Sequence, residues 1–299
     1  MTRPAQKPVI ALMGEFSAGK STLANLILEE DRSPVRVTAT QMPPIWYTYG
    51  EGDPLRVDIS GTPMTLSEDE VASVSVEDTA YVLIRSQAEV LQLMDVIDMP
   101  GISDPNLAQE SWQRTIEFAD AVIWCSHATQ AWRQSEAATW NYLPESLTQN
   151  GLLLLTRFDK LLTEQDRQRV LARVRAETDG LFRGIFPISL LAASEAGDDR
   201  EAWEQSGAEI FLQTLLEMVF DISSTSESET IEPSIVELRK SREAGIFTEP
   251  KPEADSDSES NLGFGAHPAV VPKRVKSNRN PERPATKRLP GSAMQQGLF

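Results

Sequence analysis

Short apolar runs alternate with amphipathic and charged stretches up to about Phe220, and their periods set out a series of elements. "VIALM" is a continuous apolar run of strand length, Val9 to Met13. In "STLANLILEE" the apolar Leu23, Leu26 and Ile27 recur at helical spacing, which predicts a helix from about Lys20 to Glu30. "DRSPVRVTATQMPP" carries prolines and no period, so it reads as a loop. "IWYTYG" alternates aromatic and polar positions as a strand does; the turn "GEGDP" ends it, and "LRVDI" is its expected hairpin partner. Ser67 ahead of three acidic residues is a cap for a helix in "SEDEVASVSVED". "VLQLMDVIDMPG" reads as a strand running into a glycine turn, and "AVIWCS" and "GLLLLTRFD" as strands buried on both faces. In "SEAATWNYLPESL" Ala137, Trp140, Leu143 and Leu147 share one helical face, with Pro144 kinking or ending it. The charged helix "EQDRQRVLARVRAET", the short strand "IFPIS" and the helix "REAWEQSGAEIFLQTLLEMVF" close the series, the last with Trp203, Phe211, Leu215 and Phe220 inward.

Strands that alternate with helices imply an α/β fold, a mostly parallel sheet with helices on both faces. In such sheets ligands collect beyond the carboxyl ends of the strands. The loop after Met13, "DMPG", "TRFD" and "PIS" all fall at such ends. These elements fill one domain over residues 1–220.

Beyond Phe220 the apolar period stops. "DISSTSESETIEPS" and "EPKPEADSDSES" are too poor in apolar residues to offset the entropy of ordering. Residues 221–299 are therefore expected to be a disordered tail, acidic and then basic, with one short helix near 234–247. The basic end, "PKRVKSNRNPERPATKRLPG", is a solvated charge run or a contact for an anionic membrane or an acidic partner. A net charge of −17 argues against a general nucleic-acid surface. No stretch approaches the ~20 apolar residues of a membrane span, and the polar N-terminus does not read as a signal peptide. The single cysteine, Cys125, excludes an internal disulfide framework. A cytoplasmic location is expected, peripheral at a membrane only if the basic tail makes that contact. Cys125 reads as core, and Trp124, Trp132 and Trp140 as packing residues of a core or a pairing surface. His127 and His267 make no metal site with one distant cysteine.

The chemistry lies in "MGEFSAGKST". Gly14, Gly19, Lys20 and Ser21 meet the spacing G-x-x-x-x-G-K-S between a predicted strand and a predicted helix, the setting of a phosphate-binding loop. Consecutive amides of Gly14, Glu15, Phe16, Ser17, Ala18, Gly19, Lys20, Ser21 and Thr22 are the expected cradle for phosphate oxygens. Lys20 is expected to face the β- and γ-phosphates and Ser21 to ligate magnesium. "VIDMPG" places Asp98 and Gly101 in a D-x-x-G arrangement, the carboxylate for magnesium and the glycine N–H for the γ-phosphate. "TRFD" places Thr156, Arg157 and Asp159 after a buried strand; the Asp159 carboxylate can accept from guanine N1–H and the N2 amino group together, donors that adenine lacks. Ser189 in "FPIS" is expected to pack against the base.

These motifs, in this order, resemble the dynamin superfamily of GTPases, its bacterial members in particular, over about residues 7–220. No stalk or lipid-binding tip is recognisable. The resemblance implies a P-loop NTPase G domain that hydrolyses GTP with magnesium. It further implies a first-switch threonine on the metal; Thr38 and Thr40 both lie in that loop, and Thr40 is favoured by its place ahead of "MPPIWYTYG". Ile102 follows Gly101 where Ras-like enzymes keep a water-orienting glutamine. Ser17, holding potassium or sodium when two GTPase faces pair, is the catalytic device the family suggests, beside Lys20 and Thr40. Arg36 is a candidate finger in cis, and Arg157 stands where the family has lysine. Self-pairing or a stalk-bearing dynamin-like partner is the expected activator. A weakly hydrolysing GTP-dependent scaffold is the rival expectation, and an ATP-dependent phosphotransferase is the other, disfavoured by Asp159.

Overall fold

The computed structural model describes residues 7–29, 42–102 and 109–243, with backbone alone for 109–112 and 226–243. Thr38, Thr40, Arg36, His267 and the basic end of the chain lie outside the described residues. In chain order the elements are β1 (Val9–Gly14), α1 (Lys20–Leu28), β2 (Ile45–Tyr49), β3 (Leu55–Asp58), β4 (Pro63–Thr65), α2 (Glu68–Val71), β5 (Thr79–Ser86) and β6 (Asp95–Asp98). They continue with α3 (Gln109–Ile116), β7 (Ala121–His127), α4 (Gln134–Trp140), α5 (Glu145–Thr148), β8 (Gly151–Thr156), α6 (Glu164–Glu177), β9 (Gly184–Pro187), α7 (Leu190–Ala196), α8 (Arg200–Ser206) and α9 (Ala208–Glu243).

Nine strands form one sheet in the order β4-β3-β5-β2-β6-β1-β7-β8-β9. From β6 to β9 every neighbouring pair is parallel, as crossover helices require. The mostly parallel α/β sheet expected from the alternation is the one observed. The outer half differs. β2 pairs antiparallel to β6 and parallel to β5, while β3 pairs antiparallel to β4 and β5. "LRVDI" is thus not the hairpin partner of "IWYTYG": the eight-residue β5, absent from the expected elements, lies between them. A turn signal says that the chain reverses; which strand it then meets is decided by contacts far along the chain.

The alternation of side chains on each strand builds two cores, one on each face. On one face Ile10 and Leu12 of β1 pack with Leu23 and Ile27 of α1 and with Phe211 and Leu215 of α9. On the other, Val9, Ala11 and Met13 pack with Trp124, Trp132, Trp140 and Leu153. The three tryptophans are core. Trp124 meets Trp132 and Trp140 edge to face at 6.2 and 5.6 Å, and Trp140 lies 4.1 Å from Phe182.

Several ends differ from expectation for identifiable reasons. α1 stops at Leu28, where Glu29 takes a left-handed conformation (φ 52°) and caps it. Ser67 does cap α2, in a capping box with Glu70, but α2 spans four residues. Pro144 separates α4 from α5. The strand expected in "VLQLMDVID" is a single 3-10 turn, Glu89–Gln92, followed by β6. The last predicted helix is two, because Gly207 (φ 86°) ends α8. A Cβ there would lie 2.3 Å from the Pro187 carbonyl oxygen, so only glycine fits this corner. α9 then runs unbroken through Phe220 to Glu243, so the boundary expected at residue 220 falls within a helix.

Candidate nucleotide-binding site

The carboxyl ends of β1, β6, β8 and β9 bring the predicted residues together. Gly14 ends β1 with φ 140°, and a Cβ on it would stand 2.1 Å from the Cys125 carbonyl oxygen of β7. The loop then turns through two left-handed residues, Ser17 (φ 59°) and Gly19 (φ 95°), into α1. Gly101 closes on the same loop: its Cβ would be 2.8 Å from the Phe16 backbone. Phe16 itself is 59% exposed.

Lys20 is buried at the centre and donates from Nζ to the carbonyls of Gly14 (3.1 Å) and Glu15 (2.9 Å). Burial pulls its pKa down, and the Asp98 carboxylate pulls the other way. Asp98, at the end of β6, is buried as well, and burial pushes its pKa up against Lys20 and a hydrogen bond from Ser21. Its Oδ1 is fully buried without a hydrogen-bond partner. An orphaned carboxylate oxygen costs about 1–3 kcal/mol or more. Beside a serine hydroxyl and across from a lysine, it has the chemistry of a site that a divalent cation completes. Cys125, by contrast, is buried in the sheet, its thiol pushed up to about 12 by desolvation, and is inert core.

On the other side of the loop Thr156 is fully buried and donates to the Ala18 carbonyl at 2.7 Å. Its side chain braces the loop from beneath. Arg157, itself left-handed (φ 52°), donates from Nη2 to the Ser17 carbonyl at 3.2 Å. Asp159 stands in the 3-10 turn Phe158–Lys160. Desolvation raises its pKa, but hydrogen bonds from Ser189 and Lys160 and its own backbone outweigh that and hold the carboxyl below its ordinary value. Ser189 caps α7, accepting from the Ala192 N–H at 3.3 Å, and its own N–H donates to Ser206 at 2.9 Å. The Phe158 N–H donates to the Ile188 carbonyl at 3.1 Å, so the segments that follow β8 and β9 are stitched to one another.

One partner of the loop carries no motif. Ser135 of α4 donates to the Glu15 carboxylate at 2.6 Å, and Glu136 is buried beneath it. The cradle asks only for the backbone amide of Glu15; its side chain is held by α4. No spacing rule reaches Ser135 from a residue 120 positions away.

Residues 10–158 match the family model described as Dynamin family. The chain belongs to the dynamin family. It is 24% identical over 222 residues to Dynamin-like protein 2 of Campylobacter jejuni subsp. jejuni, covering 72% of this chain and 35% of that relative. The tRNA modification GTPase MnmE of Phocaeicola vulgatus is 25% identical over 159 residues, covering 53% of this chain and 25% of that protein. This dynamin-family chain thus spans about a third and a quarter of the lengths of those curated relatives. Among solved structures, one chain of an oligomerised bacterial dynamin pair superposes with a TM-score of 0.58 at 18% identity, covering 80% of this chain and 51% of that one. A second chain, also of a bacterial dynamin pair, superposes at 0.53 and 23% identity, covering 75% of this chain and 36% of that one. These likenesses are of fold. Among the described residues no helix is long and apolar enough to cross a membrane.

Proposed function

We propose that this chain binds GTP and hydrolyses it to GDP and phosphate. The observation that carries the reading is Asp98: a buried carboxylate with one orphaned oxygen, facing Lys20 and bonded by Ser21 at the end of the phosphate loop. When the triphosphate enters, Lys20 exchanges the Gly14 and Glu15 carbonyls for β- and γ-phosphate oxygens. The loop amides cradle the phosphates at the start of α1, and the Gly101 N–H meets the γ-phosphate. Ser21 and Asp98 are the residues that would hold magnesium, which when bound neutralises charge on the β- and γ-phosphates. Asp159, kept ionised, accepts from the guanine N1–H and N2 amino group, while Arg157 covers the base. Water attacks the γ-phosphorus and the bond to the β–γ bridging oxygen breaks.

Ile102 packs on the second core, and its apolar side chain cannot orient that water. The reading therefore includes activation by pairing of two GTPase faces or by a stalk-bearing dynamin-like partner, with Ser17 holding potassium or sodium and Thr40 closing on the magnesium. The structural relative, from an oligomerised bacterial dynamin pair that provides a mechanism for the long-range sensing and tethering of membranes, supports a paired and membrane-peripheral role. The same isoleucine, with the exposed apolar Phe16, favours a second reading: a GTP-dependent switch that hydrolyses too slowly to matter.

Titration with GTP, ATP and xanthosine triphosphate, followed by turnover at rising protein concentration in potassium, sodium and choline salts, tests both. GTP preference with cation-dependent specific activity that climbs with concentration is the expected result. Tight GTP binding with a flat, negligible rate selects the switch. Equal binding of ATP and GTP overturns the reading.

A further inference from the structure

Glu136 is 1% exposed, and three donors converge on its carboxylate. Oε1 accepts from Trp124 Nε1 at 3.0 Å; Oε2 accepts from the Ser126 hydroxyl at 3.0 Å and the Arg133 N–H at 2.8 Å. Ser126 in turn accepts from the Trp132 N–H at 3.0 Å. Trp132 sits at φ 56°, a conformation non-glycine residues disfavour, and is locked there by the aromatic cluster. The first turn of α4 is therefore fixed relative to β7, with no freedom to drift.

That fixed turn presents Ser135 to the phosphate loop. Its hydroxyl donates to Glu15 Oε1 at 2.6 Å, a short charge-assisted bond. Thr156 and Arg157 hold the far side of the loop by the carbonyls of Ala18 and Ser17. On the near side the Glu15 carbonyl accepts from Lys20 and from the Ala18 N–H (3.2 Å), but Lys20 is the residue that must leave for the phosphates. The Glu15 carboxylate is also an anion in a loop built to receive a polyanion. Left untethered, it would repel the phosphates it stands beside.

We propose that Ser135 is a positioning residue for the nucleotide site: its hydrogen bond draws the Glu15 carboxylate away from the phosphates and holds the near side of the loop, with Glu136 as the buried anchor beneath. This rests on the reading of the loop as a triphosphate site.

The test is a cycle on the full chain, read by fluorescent GTP-analogue affinity and by amide hydrogen exchange across Glu15–Gly19 in nucleotide-free protein. Ser135 is exposed, so Ser135→Ala should leave the melting temperature unchanged. Analogue affinity should fall about fivefold and loop exchange rise about fivefold, the size of one such hydrogen bond. Ser135→Thr, which keeps the hydroxyl, should behave as the wild type. Adding Glu15→Gln to Ser135→Ala should restore affinity, because the charge that repels is gone, while exchange stays fast. Unchanged exchange in Ser135→Ala overturns the tether, and a loss of affinity that Glu15→Gln fails to restore overturns the electrostatic half. A wild type that binds no GTP analogue refutes the nucleotide reading instead, and the exchange arm still decides the tether.

Discussion

β1 and β8 bury every position and β7 all but His127, whereas β3 is half-buried throughout and β4 is exposed along its length. The described site residues lie at or after the carboxyl ends of the parallel strands β1, β6, β8 and β9, of which β9 alone is half-buried throughout, and none sits on the outer strands β3 to β5. A strand covered on both faces cannot shift without moving two cores, so the loop at its carboxyl end inherits that rigidity. The outer strands carry weaker constraints and, correspondingly, no chemistry.

The sharpest way to break this contrast is Gly14→Ala. The added Cβ meets the Cys125 carbonyl at 2.1 Å in a left-handed backbone, so about 3 kcal/mol or more of stability should go, together with nucleotide binding. Denaturant unfolding measures the first and a nucleotide titration the second; a variant as stable as the wild type would mean that β1 and β7 are less tightly registered than described.

Next comes Lys20→Ala. It removes the cation at the centre of the site and little packing, so GTP affinity should fall about 100-fold or more with the fold intact by circular dichroism. Unaltered affinity would place the phosphates elsewhere. Asp159→Asn should cost GTP about 10- to 100-fold and favour xanthosine triphosphate, whose O2 carbonyl the new amide can meet. Competition binding between the two nucleotides decides it.

A smaller effect concerns pH. The folded-state pKa of Asp159 lies below the ordinary 3.8, so ionisation favours the folded, guanine-reading state above that pH and the gain is lost only as pH falls through the lowered value. Preference for GTP over ATP should therefore be flat from pH 8 down to about 5. A decline beginning near pH 6 would mean that desolvation outweighs the Ser189 and Lys160 donors and raises the carboxyl above its ordinary value instead of holding it below. Smallest of all, Met64→Thr on the edge strand β4, half exposed, should change stability by less than about 0.5 kcal/mol and leave binding untouched.

How much of this was legible before the structure also divides along the sheet. The buried strands announce themselves as unbroken apolar runs, and Gly14, Lys20, Asp98 and Asp159 stand at their ends in a spacing that chemistry dictates. The partner of β2 was not legible, because Ile45–Tyr49 carries no mark of which distant strand it will join. Gly207 carries no such mark, since an isolated glycine in a helical period is tolerated unless backbone approaches it, here Pro187. Ser135 and Glu136 looked like an ordinary helix start. Their meaning depends on Glu15 and Ser126 arriving beside them, which only tertiary packing brings about.

α9 holds 36 residues and is about 54 Å long at 1.5 Å per residue. Its root, Gly207, is wedged against the Pro187 carbonyl, and Ser206 just before it accepts from the N–H of Ser189 in the loop after β9. Its first turns are packed down as well: Phe211, Leu215, Met218 and Val219 are buried in the core and Asp221 pairs with Arg183. A shift at Pro187 or Ser189 would therefore be carried by the whole packed face of α9, and the further 20 residues from Ser224 to Glu243, about 30 Å of helix, would follow it.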